Sequence, residues 1–283
     1  MKKLLFIGLQ YCLPHHLLSR IVGKLASSEV AFIKNTLINA FAKKFGINWQ
    51  EAHHQSSEHF NSFNDFFCRE LKDGARPIAS SKTAIISPAD GAISQLGKIH
   101  AGAIFQAKGH SFSTEQLLGS AAWANPFNDG DFTTIYLSPK DYHRVHMPVN
   151  ATLRQTRYIP GRLFSVNPTT AENVPRLFAR NERLVCMYDT EFGPMALVLV
   201  GAMIVAAIET VNAGLVAPTK QGMYVEDITK NNKFEKGDEM GRFKLGSTVI
   251  LLFPKNTINW QAELKAGSPV KMGQALANIT REP

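Results

Sequence analysis

Two hydropathy textures divide the chain. Over the first 75 or so residues the apolar positions recur at helical spacing. Ile33, Leu37, Phe41 and Phe45 stand four apart, with Lys34, Asn35, Lys43 and Lys44 on the remaining surface, which is the pattern of a basic amphipathic helix. Before it, Leu4-Leu5-Phe6-Ile7-Gly8-Leu9 follows Lys2-Lys3 and is interrupted by Pro14; no small-residue cleavage box follows, so the segment is read as part of the folded protein and not as a removed leader. From about residue 84 the texture changes to short runs rich in Ile, Val, Thr, Phe and Tyr, separated by Asp-Gly, Pro and Gly turns. These predict strands at Ala84–Ile86, Gly91–Leu96, Phe132–Leu137, Val145–Val149, Thr152–Ile159, Leu184–Tyr188, Met195–Val200, Met203–Val211 and Thr248–Phe253. Most of the connections are too short for crossover helices, which points to antiparallel pairing. The expected fold is α+β: N-terminal amphipathic helices in a membrane-associating region, residues 1–75, then a largely antiparallel β-rich catalytic domain, residues 76–283.

Composition narrows the function classes. With 283 residues, 45% of them hydrophobic, the chain can build a substantial core, so disorder is excluded as its main state. Lys and Arg number 31 against 23 Asp and Glu; the net charge of +8 suits an anionic partner, nucleic acid or an acidic membrane surface. Cys12, Cys68 and Cys186 form no C-x-x-C pair, so neither a disulfide framework nor a cysteine zinc site is indicated, and a reducing compartment fits. The most apolar stretch, residues 195–208, is too short to span a bilayer and contains Gly201; it reads as a pair of buried strands. Apolar burial combined with attraction to anionic lipid would hold the basic N-terminal helices at a bilayer interface.

Three segments place reactive side chains beside backbone punctuation. In Ser87-Pro88-Ala89-Asp90-Gly91, Asp90 alone is an ordinary turn residue. In Ser138–Pro148, Ser138 and Pro139 are expected to open a single helical turn carrying Asp141 and His143, ahead of a strand with His146. Two histidines three apart on one strand would face opposite sides, whereas a turn-to-strand change lets both approach one pocket. As a metal site the pair lacks a third ligand and a long helix, so no metal is expected; acid–base work suits imidazoles better. At Gly246-Ser247 small residues enter an apolar strand, consistent with a bulge or close packing. Ser247 also has free access to the carbonyl of Gly246. With Asp90 and His146 it would complete an Asp-His-Ser constellation in which His removes the hydroxyl proton and Asp orients the imidazole.

These residues resemble the bacterial pyruvoyl-dependent phosphatidylserine decarboxylase family over nearly the whole chain. Leu245-Gly246-Ser247-Thr248 matches its LGST self-cleavage motif, Asp141–Pro148 its DYHRVHMP block and Pro88–Gly91 its PADG block. Asn125-Pro126-Phe127, Phe164–Asn167, Phe178–Arg183 and Glu191–Met195 also match. The resemblance implies autocatalytic serinolysis at Gly246-Ser247, with His146 oriented by Asp90 as base. It would give a β chain 1–246 and an α chain 247–283 that stay associated. Ser247 would become a covalent pyruvoyl cofactor that takes phosphatidylserine as a Schiff base, with His143 as first candidate for the proton donor and His146 as its rival. The implied partners are phosphatidylserine and the anionic membrane surface at the cytoplasmic face of the cell membrane, and not nucleic acid; assembly into a homo-oligomer is left open. Two other readings use the same features: a lipid-directed serine hydrolase with Ser247 intact, and a non-enzymatic basic scaffold on membranes.

Overall fold

The computed structural model describes residues 2–203, 207–217, 219, 222–230, 232–244 and 247–280. Three helices lead: α1 Lys2–Cys12, α2 His15–Ala26 and α3 Ala31–Phe45; a short α4, Phe63–Phe67, follows after an irregular stretch. Pro14 separates α1 from α2, and Gly46, at φ 64°, ends α3 in the left-handed conformation that glycine adopts without strain. Ser62 caps α4 by accepting the Asp65 N–H.

The stripe read as a surface on α3 is partly a core. Ile38 and Ala42 are buried with Phe60, Phe63, Phe66 and Phe67, and Leu37, Phe41 and Phe45 pack against them. Lys34, expected on the polar side, is buried, and its Nζ donates to the carbonyls of Ser57, Glu58 and Phe60 at 3.3, 3.1 and 2.6 Å. A cation satisfied by three carbonyls is tolerated where an unpaired one would not be. The apolar side chains left in solvent lie elsewhere: Leu5 and Leu9 on α1, Leu17, Ile21 and Leu25 on α2, then Val30 and Phe32, the last 81% exposed. The helices dock on the remainder of the chain through Gln10 and His15, which accept the N–H groups of Ser165 and Leu163, and through the edge-on ring pair Tyr11–Phe164.

Strands then run in chain order: β1 Ala84–Ile86, β2 Gly91–Lys98, β3 Ala103–Ala107, β4 His110–Ser113, β5 Asp131–Leu137, β6 Arg144–His146, β7 Ala151–Ile159, β8 Arg183–Thr190 and β9 Gly193–Val200. They continue as β10 Ala207–Thr210, β11 Gly214–Ala217, β12 Tyr224–Asp227, β13 Lys233–Phe234, β14 Glu239–Lys244, β15 Ser247–Phe253, β16 Ile258–Trp260, β17 Pro269–Val270 and β18 Ala275–Ile279. Among the described residues they form sheets of nine, four, three and two strands. The large sheet runs β12-β7-β8-β9-β15-β5-β2-β17, with β13 also on β7, and its pairs are antiparallel. The α+β expectation holds. The four-stranded sheet runs β11-β10-β14-β6. β15 is buried at every position and lies between β9 and β5, in the middle of the large sheet; the apolar run 195–208, read as a pair of buried strands, falls on β9 of the large sheet and the start of β10 of the four-stranded sheet, with residues 204–206 outside the described residues. The expected strand Met203–Val211 falls partly on residues 204–206, outside the described residues, and its remainder is β10. The strand expected over Val145–Val149 is shorter, ending at His146 before Pro148.

Candidate active site

Register brings the separate motifs to one place. Tyr136 on β5 stands opposite both Ala92 on β2 and Thr248 on β15, and Leu137 stands opposite Ser247. The Asp90-Gly91 turn, the end of β5 and Ser247 therefore occupy the same end of three neighbouring strands. Gly91 is required there: a Cβ would sit 2.4 Å from the Tyr136 carbonyl oxygen. The histidine block joins from two sides, since the His146 N–H donates to Pro88 O at 2.8 Å and the Phe243 N–H to His143 O at 3.1 Å.

The segment before the histidines differs from the expected helical turn. Ser138–Asp141 is a turn, closed by Asp141 N–H to Ser138 O at 2.9 Å. The Asp141 carboxylate accepts both the Ser138 N–H and its hydroxyl, at 2.7 and 2.6 Å. Asp141 is thus the capping acceptor, the role sequence reasoning gave to Ser138, and local side-chain bonding of this kind outcompetes a short helix.

Asp90 is 1% exposed, and its carboxylate is fully engaged. Arg76 Nε donates to both oxygens at 2.9 and 3.1 Å and a terminal nitrogen adds 2.6 Å; the Met272 N–H donates at 2.9 Å and Lys271 Nζ at 3.1 Å. Burial alone would raise its pKa, but Arg76, the Met272 N–H and Lys271 outweigh burial and hold it below the usual carboxylate range. Asp90 is an anion in a cationic clamp.

The two histidines are wired differently. His143 is fully buried, with its ring 4.0 Å from that of Phe67. Its Nδ1 lies 2.8 Å from Asp141 O, and because a carbonyl can only accept, Nδ1 carries the proton. Nε2 is then the bare nitrogen, and it is buried with no hydrogen-bond partner. Burial drives the His143 pKa down to about 3 against the opposing effect of the Asp141 bond, so the ring is a neutral base at ordinary pH. The charge of Asp90 is among those that His143 feels. His146 has both nitrogens occupied: Nδ1 donates to Gly237 O at 2.7 Å, and Nε2 accepts from Tyr142 Oη at 3.0 Å. Burial also lowers its pKa, and the charges acting on it are Glu239, Arg144 and Asp238.

Ser247 is fully buried at the first position of β15, and its Oγ has no hydrogen-bond partner. Gly246, across the expected scissile bond, lies outside the described residues. Asp90 and Ser247 share one end of the large sheet and His146 approaches from β6 of the four-stranded sheet, but among the described residues no hydrogen bond joins the three side chains: Arg76 and Lys271 hold the carboxylate while Gly237 and Tyr142 hold the imidazole. Ser247 Oγ and His143 Nε2 are among the buried side-chain atoms left without partners, as are Thr248 Oγ1 beside Ser247 and two nitrogens of Arg69.

Sequence reasoning missed the surrounding shell: Arg76, Lys271, Tyr142, and the run Phe67-Cys68-Arg69. The Cys68 thiol donates to Phe243 O at 3.2 Å and burial raises its pKa to about 12, so it works as a tie between α4 and β14 and not as a nucleophile. The available signal was Phe66-Phe67-Cys68-Arg69, a basic residue directly after an apolar aromatic run. Among the described residues, no group of three or more His, Cys, Asp or Glu is placed to hold a metal ion.

The chain was compared with known proteins. A family model described as Phosphatidylserine decarboxylase matches residues 63–278, and one described as PSD matches residues 5–46. The chain is 60% identical over 281 residues to the phosphatidylserine decarboxylase proenzyme of Pseudomonas fluorescens (strain Pf-5), covering 98% of each. The proteins of the same name from Ectopseudomonas mendocina and Stutzerimonas stutzeri are 57% and 58% identical, over 98% of this chain and 99% and 95% of theirs.

Proposed function

Because the chain belongs to the phosphatidylserine decarboxylase family, we propose that it is a carboxy-lyase, made as a precursor, that removes the carboxyl group of phosphatidylserine as CO2 and leaves phosphatidylethanolamine. We further propose that it matures by cutting itself before Ser247, which becomes a pyruvoyl group. The observation that carries this reading is the pair of buried, unpartnered atoms at the centre, Ser247 Oγ and His143 Nε2.

In maturation, His143 Nε2 accepts the Ser247 hydroxyl proton and the oxygen attacks the carbonyl of Gly246, moving the acyl group from nitrogen to oxygen. Proton loss from the Ser247 Cα then expels Gly246 as a carboxylate; the resulting unsaturated residue takes up water and loses ammonia. His143 takes this role over His146 because its acceptor nitrogen is free, while His146 would first have to release Tyr142. Asp90, locked as an anion, favours the protonated state of His143 through space. The residues fit the group they would hold: position 247 is fully buried, and its hydroxyl makes no bond that conversion would break. Converted to a pyruvoyl group, position 247 would supply a carbonyl that takes up the electron pair released as CO2 leaves. His143 then returns a proton to the substrate carbon from Nε2.

Such a diacyl substrate remains in its bilayer, so the protein must meet the membrane surface. Among the described residues no helix is long and apolar enough to cross a membrane. The exposed apolar residues of α1 and α2, beside Lys3, Arg20 and Lys24, are suited to peripheral attachment to anionic lipid.

Intact mass under denaturing conditions tests the reading. Wild-type protein gives two pieces, the smaller with a carbonyl trapped by amine plus borohydride, and releases CO2 from phosphatidylserine vesicles; Ser247→Ala stays whole at 31.3 kDa and is inactive. His143→Asn stays whole, whereas His146→Asn still cuts. An active, uncut wild-type chain would favour a hydrolase and end the proposal, and cutting by His143→Asn would remove His143 from maturation.

A further inference from the structure

Arg69 is unexplained by the maturation chemistry. It follows α4, is 6% exposed, and lies with its guanidinium 5.5 Å over the Phe66 ring. One terminal nitrogen donates to Lys140 O at 3.1 Å; Nε and the other terminal nitrogen are buried without any partner. Neither nearby acid pairs with it. Asp90 is occupied by Arg76, Lys271 and the Met272 N–H, and the Asp141 oxygen that bonds is held by Ser138. A guanidinium does not neutralise itself by losing a proton, so a buried one with two unused donors is a standing cost unless an anion completes it.

The position specifies the anion. The adjacent Cys68 is tied to Phe243 O, the Phe243 N–H is tied to His143 O, and Ser247 is four residues further along. Arg69 and Asp90 are also the two charges felt by His143. The guanidinium is buried, as Ser247 is, and lies within electrostatic reach of His143. We propose that Arg69 is the anion subsite of the active centre and takes the phosphate of the lipid headgroup. This rests on the decarboxylase reading given above. The headgroup carries two anions, but the carboxylate loses its charge as CO2 forms, and a guanidinium bound to it would stabilise the starting state against the transition state. The phosphate keeps its charge throughout, and the planar donor fork matches its oxygens.

The test uses full-length Arg69→Gln and Arg69→Lys. Intact mass first establishes self-cleavage; KM and kcat for phosphatidylserine in mixed micelles, and inhibition by O-phosphoethanolamine, O-phosphoserine and serine, are then measured on the cut proteins. The expected result is cleavage in both variants, a KM raised about tenfold or more in Arg69→Gln with kcat within about threefold, and partial recovery in Arg69→Lys. Both phosphorylated inhibitors act on wild type and lose their effect on Arg69→Gln, whereas serine is weak on either. Unchanged KM and inhibition, a fall in kcat alone, or inhibition that follows the carboxylate would overturn the proposal, as would failure of both variants to self-cleave, which would assign Arg69 to maturation or folding. Failure of the decarboxylase reading itself is separable, since wild-type protein would then release no CO2.

Discussion

The neutral imidazole of His143 and the charged carboxylate of Asp90 respond to acid in the same direction. His143 has a native pKa of about 3 and an unfolded one near 6.5, so between those values the unfolded chain binds a proton that the native chain refuses. Stability contributed by this site is complete above about pH 6.5 and is lost as pH falls toward 3. Asp90, depressed in the native state, adds a loss of the same sign below about pH 4, as its carboxylate takes up a proton and its ion pairs with Arg76 and Lys271 are lost. Denaturant unfolding of the uncut Ser247→Ala chain should show a His143 share of about 2 kcal/mol lost between pH 6.5 and 5. The double variant with His143→Asn should lack that share; equal pH slopes in the two proteins would mean that His143 titrates normally.

Helix α2 presents two faces with different fates. His15 and Ser19 are buried against the chain, while Leu17, Ile21 and Leu25 each leave about half their surface in solvent. On α3 the order is reversed, with Leu37 and Phe41 packed among phenylalanines. Leu17→Asp with Ile21→Asp should therefore weaken sedimentation with anionic vesicles at least tenfold, from loss of roughly 1.5–3 kcal/mol of apolar burial per side chain, while self-cleavage continues. Leu37→Asp should lower the melting temperature and impair both. Vesicle binding unaffected by the α2 changes would separate attachment from this face. The heptad-like spacing of apolar residues revealed that α3 exists but not which neighbour covers it, because burial depends on partners 20 to 30 residues away such as Phe60, Phe63 and Phe66. Long runs such as β9 and β15 were legible because Met195–Val200 and the whole of Ser247–Phe253 are buried, whereas β3, β4, β11 and β16 to β18 are short and half-exposed and leave little pattern. The motifs located the residues of the candidate site. Their pairing was not legible: nothing in the spacing of Asp90 and His146 tells that Arg76 and Tyr142 take the bonds expected between them.

At the scale of the molecule, two apolar clusters, one under α3 and α4 and one around the large sheet, are joined by contacts such as Phe67 against His143. The centre lies where they meet, which explains why residues from α4, β2, β5, β6 and β15 all reach it. β15 is hydrogen-bonded on both sides, from Ser247 to Phe253 against β5 and from Thr248 to Leu252 against β9. A cut before Ser247 leaves this central strand as the free leading end of a separate piece. That piece cannot depart without opening the sheet along its middle, so the nicked protein should persist as one particle on a sizing column and separate only in denaturant. Its folding then ceases to be a single-molecule event. Recovery of diluted, denatured mature protein should depend on concentration, and recovery of uncut Ser247→Ala should not; concentration-independent recovery of the mature form would mean that the pieces were never apart. If the proposed cut is what makes the protein competent, activation in this architecture is an irrevocable commitment: each molecule gives up its one covalent continuity, and refolding afterwards requires two separate pieces to meet.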